Sequence, residues 1–246
     1  MSRKTKRNAP VPERPQPQVP ARTAPPAGRT QRRNIFVASA IALLLAFVVA
    51  TLFYKSESEQ SSQLAAAKNQ PALASAQAPA FGNPAAKVHI VEFFDPACET
   101  CAVFFPHVKK LMAAHPDKIR LSMRHVPFHQ GSELVVKILE AARKQDKYLP
   151  ALETFYAEQN RWAVNHVVQA DKVWITAAAI GLDLDRLRSD MNAPELARRM
   201  AQDMSDAQVL GVTKTPTFFV NGRPMPRFGL QEFQDLVQDE LRRAYP

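Results

Sequence analysis

The run Val88-His89-Ile90-Val91-Glu92-Phe93-Phe94-Asp95-Pro96-Ala97-Cys98-Glu99-Thr100-Cys101 carries the only two cysteines of a 246-residue chain and sets them one helical turn apart. Val88 to Phe94 is a short run of β-branched and aromatic residues, which reads as a core strand. Asp95-Pro96 ends it, because proline cannot donate to a ladder and opens a turn. Beyond the turn, Phe104, Val108, Leu111 and Met112 recur at helical spacing and place an apolar helix face directly after the cysteines. Three uses of the pair follow. A structural disulfide closing so short a loop removes little entropy from the unfolded chain. A metal site would combine Cys98-x2-Cys101 with His125-x3-His129, at an interval longer than a simple zinc finger uses and without a second CxxC. Dithiol redox chemistry needs a strand, a short turn and a helix N-terminus around the motif, and that context is present. There the unpaired N–H groups and the helix dipole stabilise a thiolate, so Cys98 is the expected nucleophile and Cys101 the resolving thiol.

Two further features extend this reading. Pro106 lies five residues after Cys101, and Gly211-Val212-Thr213-Lys214-Thr215-Pro216-Thr217-Phe218-Phe219-Val220-Asn221-Gly222 places a proline at the start of a strand that ends in a hairpin turn. With Glu92 six residues before Cys98, these segments resemble the thioredoxin superfamily, and within it the DsbA-like thiol oxidoreductases of the bacterial cell envelope. The resemblance covers Phe81 to Pro246. It implies that Glu92 is a buried acid relaying protons near the resolving cysteine, that Pro106 kinks the active-site helix, and that Pro216 is a cis-proline. It also implies that Thr215 and Pro216 line the edge where a peptide binds.

The fold class expected is α/β: a thioredoxin-like fold with an inserted helical domain, preceded by one transmembrane helix. The insertion, about 132–208, has little strand character and repeats helical stripes such as Leu134, Val135, Ile138, Leu139 and Ala142. Leu230, Phe233, Leu236, Val237 and Leu241 draw a closing amphipathic helix. Met200 and Met204 at helical spacing are read as packing, and His125 and His129 are left outside the site.

Glu99 and Thr100 are the tuning positions. Strongly oxidising DsbA proteins carry Pro-His there, and their histidine donates to the thiolate. A carboxylate at Glu99 disfavours a neighbouring thiolate, so a raised thiol pKa and a less oxidising disulfide are expected. Alternation along the strand leaves the face of Glu92 open, since its neighbours Val91 and Phe93 are both apolar. If Glu92 is buried, desolvation raises its pKa and it can exchange a proton with Cys101.

The first third of the chain places the chemistry. Residues 35–54 form an apolar run without a charge, long enough at about 1.5 Å per residue to cross a hydrocarbon core of about 30 Å. Residues 1–34 hold nine Lys or Arg against the single acid Glu13; taking that +8 from the chain's +9 leaves +1 for the rest. The basicity therefore belongs to a proline-rich tail, expected to be disordered and cytoplasmic by the positive-inside rule, and not to a nucleic-acid-binding face. A cleaved signal peptide is the competing reading, but no small-x-small site follows the apolar run. An uncleaved signal anchor is expected, with residues 55–80 as a flexible tether and 81–246 as the exported domain.

The resemblance, taken with the apolar run, implies a thiol:disulfide oxidoreductase, expected to be held in the bacterial inner membrane, single-pass, with its catalytic domain in the periplasm. No cofactor and no nucleic acid are expected. Its expected partners are cysteine-containing exported proteins and a membrane redox partner, either a quinone-linked oxidase or a membrane thiol reductase. The alternative is a non-enzymatic envelope module binding copper or zinc through the same CxxC.

Overall fold

A computed structural model describes residues 28–246; of the disordered tail expected over 1–34, residues 1–27 lie outside them, and 28–34 are helical because the apolar helix that follows extends back through them. The chain divides into two units at Lys55/Ser56, each described on its own. Helix α1 (Gly28–Leu73) begins in the first unit, where Phe36–Tyr54 has a mean hydropathy of 2.7 and no residue buried by protein. It is the one helix among the described residues long and apolar enough to cross a membrane.

In the second unit, α1 continues to Leu73, so the tether expected over 55–80 is helical for most of its length. The reason lies in its own composition: Gln63-Leu64-Ala65-Ala66-Ala67-Lys68 are strong helix formers, and the Ser and Gln residues around them suit a solvated helix as well as a flexible tether. Its last turn is also anchored, with Ala72 and Leu73 buried and the Asn69 amide donating to the Gly222 carbonyl at 3.1 Å.

The rest of the unit runs β1 (Ala80–Gly82), β2 (Val88–Phe94), α2 (Glu99–Ala114) and β3 (Ile119–His125). It continues through α3 (Ser132–Arg143), α4 (Tyr148–Ala157), α5 (Gln159–Trp162), β4 (Ala163–Val164), β5 (Val167–Val168), α6 (Ala170–Ala179), α7 (Leu184–Asp190) and α8 (Pro194–Val209). It ends with β6 (Thr217–Val220), β7 (Arg223–Pro224) and α9 (Leu230–Ala244). The sheet order is β1-β3-β2-β6-β7, with β2 parallel to β3 and the other pairs antiparallel. The α/β thioredoxin-like class expected from the sequence is the one observed, and α3 to α8 form the insertion between β3 and β6.

Both faces of the central strands are covered, which is why β2 is a continuous apolar run. Period-two alternation puts Val88, Ile90 and Phe94 on the face that packs against α2 and α9, and Val91 and Phe93 on the other with Leu73, Val126 and Phe219. Glu92 shares parity with Ile90 and Phe94, so its carboxylate enters the face that holds the cysteines. At the turn after β6, Asn221 and Gly222 both adopt positive φ (48° and 83°), as a two-residue hairpin requires.

On the opposite face a buried ion network fixes α8 to β3. Arg124, fully buried, donates through Nε to Asp203 at 2.5 Å, through Nη2 to Asp206 and through Nη1 to the Ala72 carbonyl at 3.0 Å. Its guanidinium also lies 5.2 Å from the Phe93 ring centroid. Removing one partner from such a cluster leaves uncompensated buried charge. Arg124→Met is expected to destabilise the folded state by about 3–5 kcal/mol, read as a lower urea midpoint by the fluorescence of Trp162 and Trp174.

Candidate active site

The turn that follows β2 is built on the Asp95 carboxylate, which is fully buried. One oxygen accepts from the Ala97 N–H at 2.8 Å and from the Ser132 hydroxyl; the other accepts from the His129 backbone N–H at 2.8 Å and ring Nδ1 at 2.7 Å. The Asp95 carbonyl accepts from the Cys98 N–H at 3.0 Å. A buried carboxylate with every lone-pair direction engaged is a fixed point, and it delivers Cys98 to the N-cap of α2 with extended φ and ψ of −79° and 116°. Cys98 Sγ takes the role that a serine or aspartate oxygen usually fills, accepting from the Cys101 N–H at 3.4 Å.

The two thiols, unbonded here, occupy opposite environments. Hydrogen bonding from the Cys101 side chain lowers the Cys98 thiol to about 6 against the opposing effect of burial, aided by the Thr215 side chain, the Cys101 N–H and the charge of His129. Cys101 has no exposed surface, and burial first, then its hydrogen bond to Cys98 and the charges of Cys98 and Glu92, push its thiol well above the usual range. Glu92 is likewise fully buried, with neither carboxylate oxygen hydrogen-bonded, and burial together with the Cys98 charge raises it to about 8. Opposite Cys98, the Thr215–Pro216 peptide is cis and the Thr215 carbonyl lies 3.3 Å from Cys98 Sγ. Cys98, Cys101, Glu92, Thr215 and Pro216 thus converge on one end of the sheet. Pro106 lies inside α2 on its exposed side.

Glu99 behaves differently from the expectation. Its side chain is exposed and turned toward His166, with Oε2 3.8 Å from Nδ1, while the Cys98 thiol is drawn down and not up. Solvent and the imidazole screen a carboxylate at the rim, whereas the donors to Cys98 Sγ act at contact. Thr100 lines the same open hollow as Cys98, beside Phe128, Lys214 and Thr215.

Three residues at the site were not singled out from the sequence. Asp95 was read as a strand terminator, although Asp before Pro at the end of a core strand is a place where a carboxylate turns back to cap the backbone. His129 was set aside as a loop histidine, yet it reaches Asp95 and the Cys98 hollow. His166 comes from the β4–β5 ribbon, whose two-residue strands are too short to show a period. The metal alternative gains no support: among the described residues no three His, Cys, Asp or Glu side chains gather to hold an ion, and His125 Nε2 is engaged with the Tyr148 hydroxyl at 2.9 Å.

A strand, a capped CxxC helix and a cis-proline loop meet at one point, in a fold of the thioredoxin type. The family profile described as Thioredoxin matches residues 74–239. A solved thioredoxin-like oxidoreductase from Silicibacter pomeroyi DSS-3 is 33% identical with a TM-score of 0.59, over 69% of this chain and 95% of that one. Disulfide bond formation protein D of Bacillus subtilis is 24% identical over 67% of this chain and 77% of that protein. The Na(+)/H(+) antiporter NhaA of Herminiimonas arsenicoxydans is 31% identical over 56% of this chain, which spans only 21% of the antiporter's length. The chain belongs to the thioredoxin family.

The Glu92 carboxyl has a consequence for stability. Between its unfolded value of 4.5 and its folded value of about 8, the folded protein keeps a proton that the unfolded chain releases. Stability therefore falls as pH rises through that window and levels off above it. In the reduced protein Cys98, lowered from 9.0 to about 6, contributes the opposite slope between those values, and His89, lowered by burial, adds to it; the Glu92 slope is therefore read in the oxidised protein, with no thiol to titrate, as the difference between wild type and Glu92→Gln. Oxidised Glu92→Gln is expected to lose that slope and to exceed oxidised wild type at pH 7 by roughly 1–3 kcal/mol, since burial, the first cause of the shift, persists while the Cys98 charge does not; urea unfolding at pH 5, 6, 7 and 8 measures it.

Proposed function

We propose that this protein is a membrane-anchored thiol–disulfide oxidoreductase that exchanges disulfides with exported, cysteine-containing proteins through Cys98 and Cys101. The observation that carries the proposal is the asymmetry of the pair: a rim thiol held as thiolate near neutral pH, three residues from a buried thiol held as thiol beside an acid of pKa about 8. Thiolate character marks the sulfur that attacks and leaves, and burial marks the one that resolves.

In the oxidising direction a substrate thiolate attacks Cys98 Sγ, the Cys98–Cys101 bond breaks, and Cys101 leaves while taking a proton from protonated Glu92. A second substrate thiolate then attacks its own half of the mixed disulfide and expels Cys98 as the stabilised thiolate. In the reducing direction the Cys98 thiolate attacks one sulfur of the substrate disulfide, whose S–S bond breaks and releases the first substrate thiolate. Ionised Glu92 then takes the Cys101 proton as Cys101 closes on Cys98 and releases the second substrate thiolate. The Thr215 carbonyl beside Cys98 lies where the main chain of an extended peptide would pair, which favours a polypeptide substrate. Net direction depends on the membrane partner: a quinone-linked oxidase keeps the pair oxidised, a membrane thiol reductase keeps it reduced.

The anchor reading rests on Phe36–Tyr54, apolar and uncovered by protein, behind a strongly basic segment, which favours a cytoplasmic N-terminus and a periplasmic domain.

Cys101→Ser expressed in its native membrane is expected to accumulate mixed disulfides through Cys98, identified after alkylation, with none in the Cys98→Ser control; their absence overturns the proposal. Thiol trapping of the wild-type pair reads the direction, mostly oxidised for an oxidase and mostly reduced for a reductase or isomerase. Glu92→Gln is expected to slow the Cys101 step about 10- to 100-fold at pH 7, seen in stopped-flow exchange with a model peptide, with the mixed-disulfide-forming step little changed.

A further inference from the structure

Outside the CxxC turn, the hollow over Cys98 is bordered by two stacked imidazoles, His129 and His166, with ring centroids 5.3 Å apart and planes inclined by 21°. Neither is placed casually. His129 is held twice by buried Asp95, at its backbone N–H and at ring Nδ1, which leaves Nε2 as its free nitrogen. His166 sits in the β4–β5 turn, where two successive non-glycine residues, Asn165 and His166, take left-handed φ of 51° and 62°. Such a conformation is disfavoured for L residues and persists where surroundings over-determine it. Here the ribbon is clipped to the residue after His129: Gln130 bridges Val167, and the Val168 N–H donates to the Gln130 carbonyl at 3.0 Å. The insertion thus brings a second ring onto the first.

The titratable and charged groups turned to this hollow are Cys98 and Glu99 from α2, His129 and Asp95 below them, His166 from the ribbon and Lys214 from the cis-proline loop. Glu99 is drawn toward His166, and Lys214 lies over the Phe228 ring with its nitrogen 5.3 Å from the centroid. His129 remains as the group whose ring is both fixed and committed through Nδ1 to a carboxylate. A carboxylate at Nδ1 favours the imidazolium of such a pair, whose Nε2–H is then a positioned donor, the arrangement that pairs an imidazolium with a thiolate in other thiol sites.

We propose that His129, held by Asp95, is the charged partner that stabilises the Cys98 thiolate, so that the redox poise of the pair is set from outside the Cys98–Cys101 turn. His129 is a positioning residue in this scheme: it neither bonds to substrate nor moves electrons, and it changes the free energy of the reduced form by favouring its anion. His129 and Cys98 line the same hollow, and a positive charge there lowers the Cys98 thiol. The inference rests on the disulfide-exchange reading of the pair, and it deepens that reading by naming what sets the potential.

The test uses the full chain in detergent, reduced, with His129→Gln and His129→Lys as variants; Asp95 is left intact because it holds the turn. Alkylation of Cys98 by iodoacetamide is followed against pH, a readout to which buried Cys101 contributes nothing near neutrality. Equilibrium with glutathione is measured in parallel. His129→Gln is expected to move the Cys98 midpoint up by about one pH unit and to shift the equilibrium at pH 7 about fivefold toward the disulfide, equivalent to a potential about 20 mV more reducing. His129→Lys, which restores a cation, is expected to stay within about threefold of wild type. A His129→Gln midpoint equal to wild type, or a His129→Lys midpoint displaced as far as that of His129→Gln, overturns the inference. Wild type that fails to exchange with glutathione overturns the function and not the His129 contact, because the alkylation profiles still report it.

Discussion

The whole site hangs from one buried carboxylate. Asp95 has no exposed surface, and a charge in that position is tolerable only because donors from three segments converge on it: the turn before α2, the loop before α3 and the first residue of α3. The same four hydrogen bonds that offset its desolvation therefore tie the redox turn of the thioredoxin core to the beginning of the helical insertion. Once Asp95 is fixed, Cys98 must be the N-cap of α2, Cys101 must lie one turn inside the helix, and His129 must face the hollow.

From that fixed point the chemistry follows as an environment gradient over a single helical turn. Cys98 keeps its sulfur at the helix end, where donors favour the anion; Cys101 faces the core, where nothing does. Glu92 extends the gradient into the sheet. Its two orphaned oxygens make it a destabilising residue at neutral pH, and no packing role explains a bare carboxyl among Ile90, Phe94 and the cysteines. On the function proposed above, it is a proton store beside the resolving thiol, and stability is lowered at the place where that exchange calls for a group of near-neutral pKa.

Much of this was legible in the chain because it is written in local pattern. The strand Val88 to Phe94, the α2 face of Phe104 and Val108, the Asn221-Gly222 turn and the α9 stripe each depend on neighbours a few residues away, and all stand where the sequence reading put them. The cis bond at Pro216 came through resemblance, since a lone proline does not declare its isomer. What escaped depends on partners far along the chain. Alternation could not give the face of Glu92 because both faces of β2 are covered. The α1 extension was hidden by polar residues that favour helix as well as solvent. His129 and His166, 37 residues apart in sequence, meet only because a ribbon of two-residue strands is clipped to Gln130. Glu99 was weighed by its position between the cysteines, and the side chain's outward direction removed most of its leverage.

The far face of the sheet reaches the site by a route that no single motif shows. Asp203 and Asp206 clamp α8 to Arg124 on β3, and Asp203 also accepts from the His125 N–H at 2.9 Å. From the end of α8 the chain passes Gly211, with φ 69°, and buries Val212 in the apolar cluster with Phe93, Val126 and Phe219. Three residues later it presents the Thr215 carbonyl to Cys98. The cis-proline loop is therefore held at both ends, by β6 in the sheet and by α8 through a buried ion cluster. A loop that must place one carbonyl 3.3 Å from a sulfur needs such support, because a displacement of an ångström at either end would remove the contact. The insertion between β3 and β6 acts as part of the catalytic frame: α3 starts on Asp95, and α8 ends at the loop facing Cys98.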